Sequence, residues 1–164
     1  MEHGDPRAPE PSRRLEPGAR GMWAVEALGW AAPLVLLAVI GGGSITRAGA
    51  PPFVGPGLVA AAVVVAAVGV VAMPVLRWRR WRYEVRDEEI DLRHGAFTVT
   101  RTLIPVPRVQ HVDTRRTVVS QLFGLAVVVI HTAAGRNAIP GLAERDAAAI
   151  RDRIAELART PDEP

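Results

Sequence analysis

The chain has 164 residues, no cysteine, and twenty basic side chains against seventeen acidic ones, every basic one an arginine. That length holds one small folded domain beside any membrane segment, and the lack of cysteine excludes disulfides, thiolate catalysis and cysteine-ligated zinc. The net charge of +3 is local, since residues 77–82 carry four arginines whereas residues 83–164 hold eleven against twelve acids, so the folded part lacks the basic face that nucleic-acid binding requires.

Residues 1–21 are rich in Pro, Gly, Arg and Glu with little to bury, which predicts a disordered tail. Two uncharged stretches follow, Ala27 to Thr46 and Ala48 to Leu76, separated by Arg47 alone. Each reaches the roughly 20 apolar residues needed to cross a hydrocarbon core. They predict a transmembrane helical hairpin over 22–76, with helices at about 22–45 and 53–76 and a turn at Ala50-Pro51-Pro52. Ala62, Ala66 and Gly69 are small enough to let the helices approach closely. Ala48-Gly49-Ala50 has the small-x-small form of a leader-peptidase site, but five preceding acids and the following Pro51 argue against cleavage. Four arginines precede the first helix, four follow the second, and the loop has one. That asymmetry places both termini in the cytoplasm. Neither apolar segment carries an internal acid, arginine or histidine, so the hairpin reads as an anchor rather than an ion pathway.

The basic collar Arg77-Trp78-Arg79-Arg80-Trp81-Arg82 comes next, suited to anionic headgroups and a membrane interface. From Tyr83 the periodicity becomes that of strands. Tyr83 and Val85 alternate with Glu84 and Arg86, and Asp87-Glu88 makes a turn. Ile90 and Leu92 alternate with Asp91 and Arg93, and His94-Gly95 makes another. Phe97, Val99 and Leu103 share one face of a third strand, and a fourth begins near Arg108. Val118 to Gly124 reads as a short helical or turn insert. The unbroken apolar run Leu125 to Ile130 predicts a strand buried on both faces. A short strand around Asn137 to Ile139 ends at Pro140-Gly141, and a helix from about Leu142 to Arg159 carries one apolar stripe of Ala143, Ala147, Ile150, Ile154 and Leu157. Strands closed by one packed helix make an α+β domain over 83–159, with a tail at 160–164.

Several fragments recur in order: Arg82-Tyr83-Glu84-Val85, Ile90-Asp91-Leu92-Arg93-His94-Gly95, Ile104-Pro105, Arg108-Val109-Gln110-His111-Val112, Gln121-Leu122-Phe123-Gly124-Leu125-Ala126, His131-Thr132-Ala133-Ala134-Gly135 and Ile139-Pro140-Gly141-Leu142. In this order the chain resembles the YdbS-like bacterial pleckstrin-homology (PH) domain family of small membrane proteins, over about Trp81 to Leu157. The resemblance implies a PH-like fold of bent antiparallel sheets closed by a C-terminal helix, no established reaction, and a companion in the form of a larger membrane protein with repeated PH-like domains. Two departures stand out. Val118-Val119-Ser120 replaces an expected Gly or Pro, and the last helix lacks a Ser, Thr, Asp or Asn cap. A PH-like fold does not by itself establish a ligand.

Chemistry-bearing residues are sparse. His111 and Asp113, two apart on a strand, share a face and could serve a metal or a general base, but they need a third partner such as His131 or His94. A structural histidine is the simpler reading, so no catalytic residue, metal ligand or cofactor is assigned. Asp87-Glu88-Glu89 reads as a solvated turn. The functional candidates are surfaces: Arg77, Trp78, Arg79, Arg80, Trp81 and Arg82 for lipid headgroups, and Arg108, Arg115 and Arg116 for a protein partner. The sequence therefore predicts a membrane-anchored, non-enzymatic PH-like binding module. It would act as a subunit of an envelope-associated complex or, alternatively, as a stand-alone sensor of anionic lipid, with no nucleic-acid partner.

Overall fold

A computed structural model describes residues 10–159. The chain separates into two units, one of Arg20–Leu76 and one made of residues up to Ala19 together with those from Arg77 onward. The expectations for residues 1–9 and 160–164 lie outside the described residues.

The first unit is helical. Helix α1, Gly18–Arg47, is 30 residues long. Helix α2 (Val54–Ala67), a π-helical turn (Val68–Ala72) and helix α3 (Met73–Arg80) run on as one helix of 27 residues. Both runs are long and apolar enough to cross a membrane. Glycine sets their approach at two levels. A β-carbon on Gly42 would lie 2.9 Å from the Gly55 carbonyl oxygen, and one on Gly69 would overlap the Trp30 indole. Of Ala62, Ala66 and Gly69, the small residues expected to permit close approach, Gly69 meets Trp30, and a Gly42–Gly55 pair brings the two backbones together.

The second unit holds two three-stranded antiparallel sheets, ordered β1-β2-β3 and β4-β5-β6. Strand β1 is Arg82–Val85, β2 Glu89–His94, β3 Thr100–Pro105, β4 Val109–Arg115, β5 Leu125–Thr132 and β6 Gly135–Ala143. The short helix α4, Val118–Leu122, connects β4 to β5, and α5, Glu144–Arg159, closes the domain. The molecule is thus α+β, as the periodicity indicated. Strand β5 is central in its sheet, which is why its apolar run is almost continuous: Leu125, Ala126, Val128, Val129 and Ile130 are all buried. Ala147, Ile150 and Ile154 of α5 are buried too, each isoleucine being worth roughly 1.5–3 kcal/mol of removed apolar surface.

Local chemistry accounts for the ends of these elements. Thr117 caps α4 by accepting from the Ser120 amide at 3.1 Å, while Ser120 Oγ accepts from the Thr117 amide at 2.8 Å, so the insert that departs from the family pattern is a capping box. Two boundaries move. Strand β6 runs through Pro140-Gly141 to Ala143, and α5 starts at Glu144 rather than Leu142, because the register shift at Ala126/Val128 lets the ladder continue to the Leu125–Ala143 pair. Phe97 and Val99 precede β3 and are exposed.

Residues 13–19, expected within a disordered tail, pack on the folded domain. Arg13 and Tyr83 exchange backbone hydrogen bonds of 3.2 and 3.0 Å, and the Glu16 amide donates to the Gly141 carbonyl at 3.0 Å. Leu15 is 2 % exposed and Ala19 fully buried. The segment covers the outer edge of β1, and two anchoring apolar side chains offset its ordering entropy.

Candidate functional site

The hairpin of β1 and β2 turns at Asp87-Glu88, and the register that follows places Arg82 opposite Arg93, Tyr83 opposite Leu92 and Glu84 opposite Asp91. On the next strand Arg93 faces Arg101. Three arginines therefore stand in one row across the first sheet, an arrangement that is destabilising unless each charge has a counterpart. Arg101 turns to Asp91, donating through Nε at 3.1 and 3.2 Å and through Nη2 at 2.7 Å. Arg93 meets Glu10 at 2.6 Å. Among the described residues Arg82 donates to carbonyls, those of Arg79 at 2.9 Å and Trp81 at 2.7 Å, a use of the carbonyls at the α3 C-terminus. Its pKa is lowered, chiefly by burial and then by the neighbouring charges of Arg14 and Arg93.

Arg79, Arg80, Arg82 and Arg93 line one cleft of about 490 Å³ together with Glu10, Pro11 and Val99. Arg80 is held to the Ala96 carbonyl. Three collar arginines thus converge, and they gain Arg93, which the sequence reading assigned only to a strand. The signal was available: a two-residue turn at Asp87-Glu88 pairs position 82 with position 93.

The two collar tryptophans are not equivalent lipid anchors. Trp81 is 5 % exposed and stacks on His94 with ring centroids 5.3 Å apart, so it belongs to the domain core and leaves the headgroup set. Trp78 is half-buried, and its indole N–H donates to the carbonyls of Leu15 and Glu16 at 3.0 Å each. Arg77 remains exposed.

Alternation places Asp91 on the polar face of β2 with Arg93, yet it is completely buried. It sits on the middle strand of the sheet, roofed by Arg101 and by Arg86, whose Nη2 is 3.7 Å away. Glu89 in turn holds Arg86 at 2.7 Å, and Asp87 holds Arg153 at 2.6 Å.

The proposed partner arginines are divided. Arg108 precedes β4 and Arg115 ends it, about 20 Å apart at the rise of a strand. Arg116 pairs with Glu144. Arg108 instead borders a groove formed with β3 and the β5–β6 turn.

On the second sheet a bulge between Val109 and His111 resets the register, so that His111 pairs directly with His131. Their rings stack with centroids 4.0 Å apart. Asp113 Oδ2 lies 3.7 Å from His111 Nε2 and 3.2 Å from His131 Nε2. Of the two candidate third members for the His111/Asp113 pair, the fold delivers His131, and His94 is committed to Trp81.

A family model described as a bacterial PH domain matches residues 27–158. Among curated proteins, the UPF0699 transmembrane protein YdbS of Bacillus subtilis (strain 168) is 45 % identical over 96 residues, covering 58 % of this chain and 60 % of that protein. The UPF0699 transmembrane protein YdbT of the same organism is 32 % identical over 68 residues, 42 % of this chain and 14 % of that protein. The chain therefore spans well under the full length of the curated relatives it matches. No solved structure matches.

Proposed function

The chain belongs to the bacterial PH domain family, and from that premise we infer that this membrane protein is a non-enzymatic binding module whose arginine cleft takes the phosphate of an anionic lipid headgroup. One observation carries the reading: Arg79, Arg80, Arg82 and Arg93 line a single cleft against one carboxylate, Glu10. Like charges this close oppose one another: burial is the main cause of the lowered Arg82 pKa, and Arg14 and then Arg93 add to it, and a phosphate relieves that repulsion through charge-assisted bonds to guanidinium groups. Arg79 and Arg80 end the second apolar helix and Arg82 follows it in sequence, where polybasic segments are attracted to anionic leaflets at roughly 1 kcal/mol per charge.

Native mass spectrometry of the detergent-purified full chain tests this. Phosphatidylglycerol should be retained over phosphatidylcholine, the difference should shrink with salt, and replacing Arg79, Arg80, Arg82 and Arg93 with glutamine should abolish it. Equal retention of both lipids, or selectivity that survives the four substitutions, refutes the cleft.

A second reading is that the module works as a subunit of a larger membrane complex. It is favoured by the match of 68 residues of this chain to 14 % of a longer transmembrane protein. Cross-linking in native membranes, with Arg115→Glu and Arg116→Glu as the weakening variants, separates it from action through lipid alone.

A further inference from the structure

We propose that His111, Asp113 and His131 form a binding site for a divalent transition-metal ion of the Zn²⁺ class on the face of β4 and β5, a role separate from the arginine cleft. One donor atom from each residue lies within 4.8 Å of the other two. A tetrahedral ion with bonds of about 2.0–2.1 Å needs donor atoms roughly 3.3 Å apart. Two edges of that figure are already close, at 3.2 Å between His131 and Asp113 and 3.7 Å between His111 and Asp113. The rings are stacked with planes 15° apart, so side-chain rotation that opens them towards Asp113 completes the set. A metal lies in the plane of each imidazole that binds it, and the change is one of rotamer, not backbone.

Two independent features support a ligand here. His131 Nε2 is buried and has no hydrogen-bond partner among the described residues, although Asp113 Oδ2 is only 3.2 Å away. A buried polar atom left in that state is costly unless something satisfies it. The bulge between Val109 and His111 is the second feature. It is what turns His111 to stand opposite His131, and bulges commonly re-aim a side chain in this way. His111 and Asp113 are solvent-accessible at 59 % and 45 % of their side-chain surface, against 15 % for His131, which gives an ion an entry path and leaves a coordination position open to water.

The donor set selects the ion. Two imidazoles and one carboxylate suit Zn²⁺, Ni²⁺ or Cu²⁺. Without thiolate the set is unsuited to Cu⁺ or iron–sulfur clusters, and with one oxygen ligand it is unsuited to Ca²⁺ or Mg²⁺. Arg136, opposite His131 on β6 and exposed, opposes added positive charge and favours an ion held by strong nitrogen donors over one held by charge alone. Bound metal would clamp β4 to β5 beside the bulge, where the ladder is weakest.

The test uses tag-free full chain in detergent, stripped with a chelator and titrated with ZnCl₂ against a chromophoric competitor. We expect one equivalent bound below ~10 µM, consistent with three protein ligands rather than four, and a rise in melting temperature on addition. His111→Gln, Asp113→Asn and His131→Gln should each weaken binding more than ~10-fold, the least that loss of even a supporting partner tends to cost, while His3→Gln and His94→Gln leave it unchanged. Asp113→Asn, at a half-exposed position, keeps the test valid should His131→Gln fold poorly. Absence of binding up to ~100 µM Zn²⁺, or binding that survives the three substitutions, or binding lost with His3 or His94, overturns the site.

Discussion

Removing the Arg101 guanidinium should destabilise the domain by about 3 kcal/mol, because it strands the carboxylate of Asp91 in the protein. Asp91 has no exposed surface, and among the described residues the three hydrogen bonds to its carboxylate come from Arg101. Breaking a buried pair from one side generally costs 3–5 kcal/mol. The lower end applies here for two reasons: Arg86 remains 3.7 Å from the carboxylate, and the Arg101 side chain is 31 % exposed, so water can reach the vacated position. Arg101→Met retains the aliphatic stem and isolates the charge. For a domain of this size 3 kcal/mol corresponds to a melting shift of at least ~12 °C, read by near-ultraviolet circular dichroism in mild detergent. Asp91→Leu combined with Arg101→Met should recover most of the loss, because two partners removed together leave nothing unsatisfied. The cycle should give a coupling of about 2 kcal/mol or more. A single-mutant cost under ~1 kcal/mol together with a coupling near zero would show that the pair is solvated, as surface pairs are, and would refute the buried network. Arg101 itself stays charged throughout the measurement, since the hydrogen bond to Asp91 raises its pKa above its already high value.

Three further outcomes test the docked segment, the buried tyrosine and the topology. Gly141→Ala should cost about 2 kcal/mol in denaturant unfolding, since φ is +61° and the new β-carbon would lie 2.5 Å from Ala19 Cβ; an unchanged midpoint would show that the 13–19 segment is not docked there. Tyr83 is the only tyrosine of the chain, and burial raises its pKa against the opposing effect of Arg13, so folding favours its neutral form. That contribution is fully present below the unfolded value near ~10 and is lost as pH rises through the higher folded value, and the phenolate absorbance of the native chain should appear at higher pH than in guanidinium; coincident titrations would contradict the burial. Because the chain has no native cysteine, Ala48→Cys should react with an impermeant thiol reagent in intact cells while Ala133→Cys is protected, as cytoplasmic termini require; the reverse pattern would invert the topology.

The sequence by itself determined the features that depend on composition and short-range period. Two charge-free runs around Arg47 specify the apolar helices, since the cost of burying charge in hydrocarbon acts on each segment alone. Alternation at Tyr83–Arg86 and Ile90–Arg93 assigns faces to β1 and β2. The unbroken run Leu125–Ile130 identifies a strand buried on both faces, because only such a strand can be apolar at every position. Spacing in α5 identifies Ala147, Ile150 and Ile154 as its buried side. Only the tertiary structure decided which of these faces meets what. Alternation puts Asp91 on the polar face, but its burial depends on Arg86 and Arg101 closing over the middle strand. Trp81 looks like an interfacial tryptophan until His94 stacks against it, and the polar segment 13–19 looks disordered until Tyr83 and Gly141 offer it partners. His111 and His131 are twenty residues apart, and they meet only because a bulge shifts the ladder by one position. In a strand such a shift moves every later side chain to the opposite face, so no reading of either strand alone could have placed Asp113 between them.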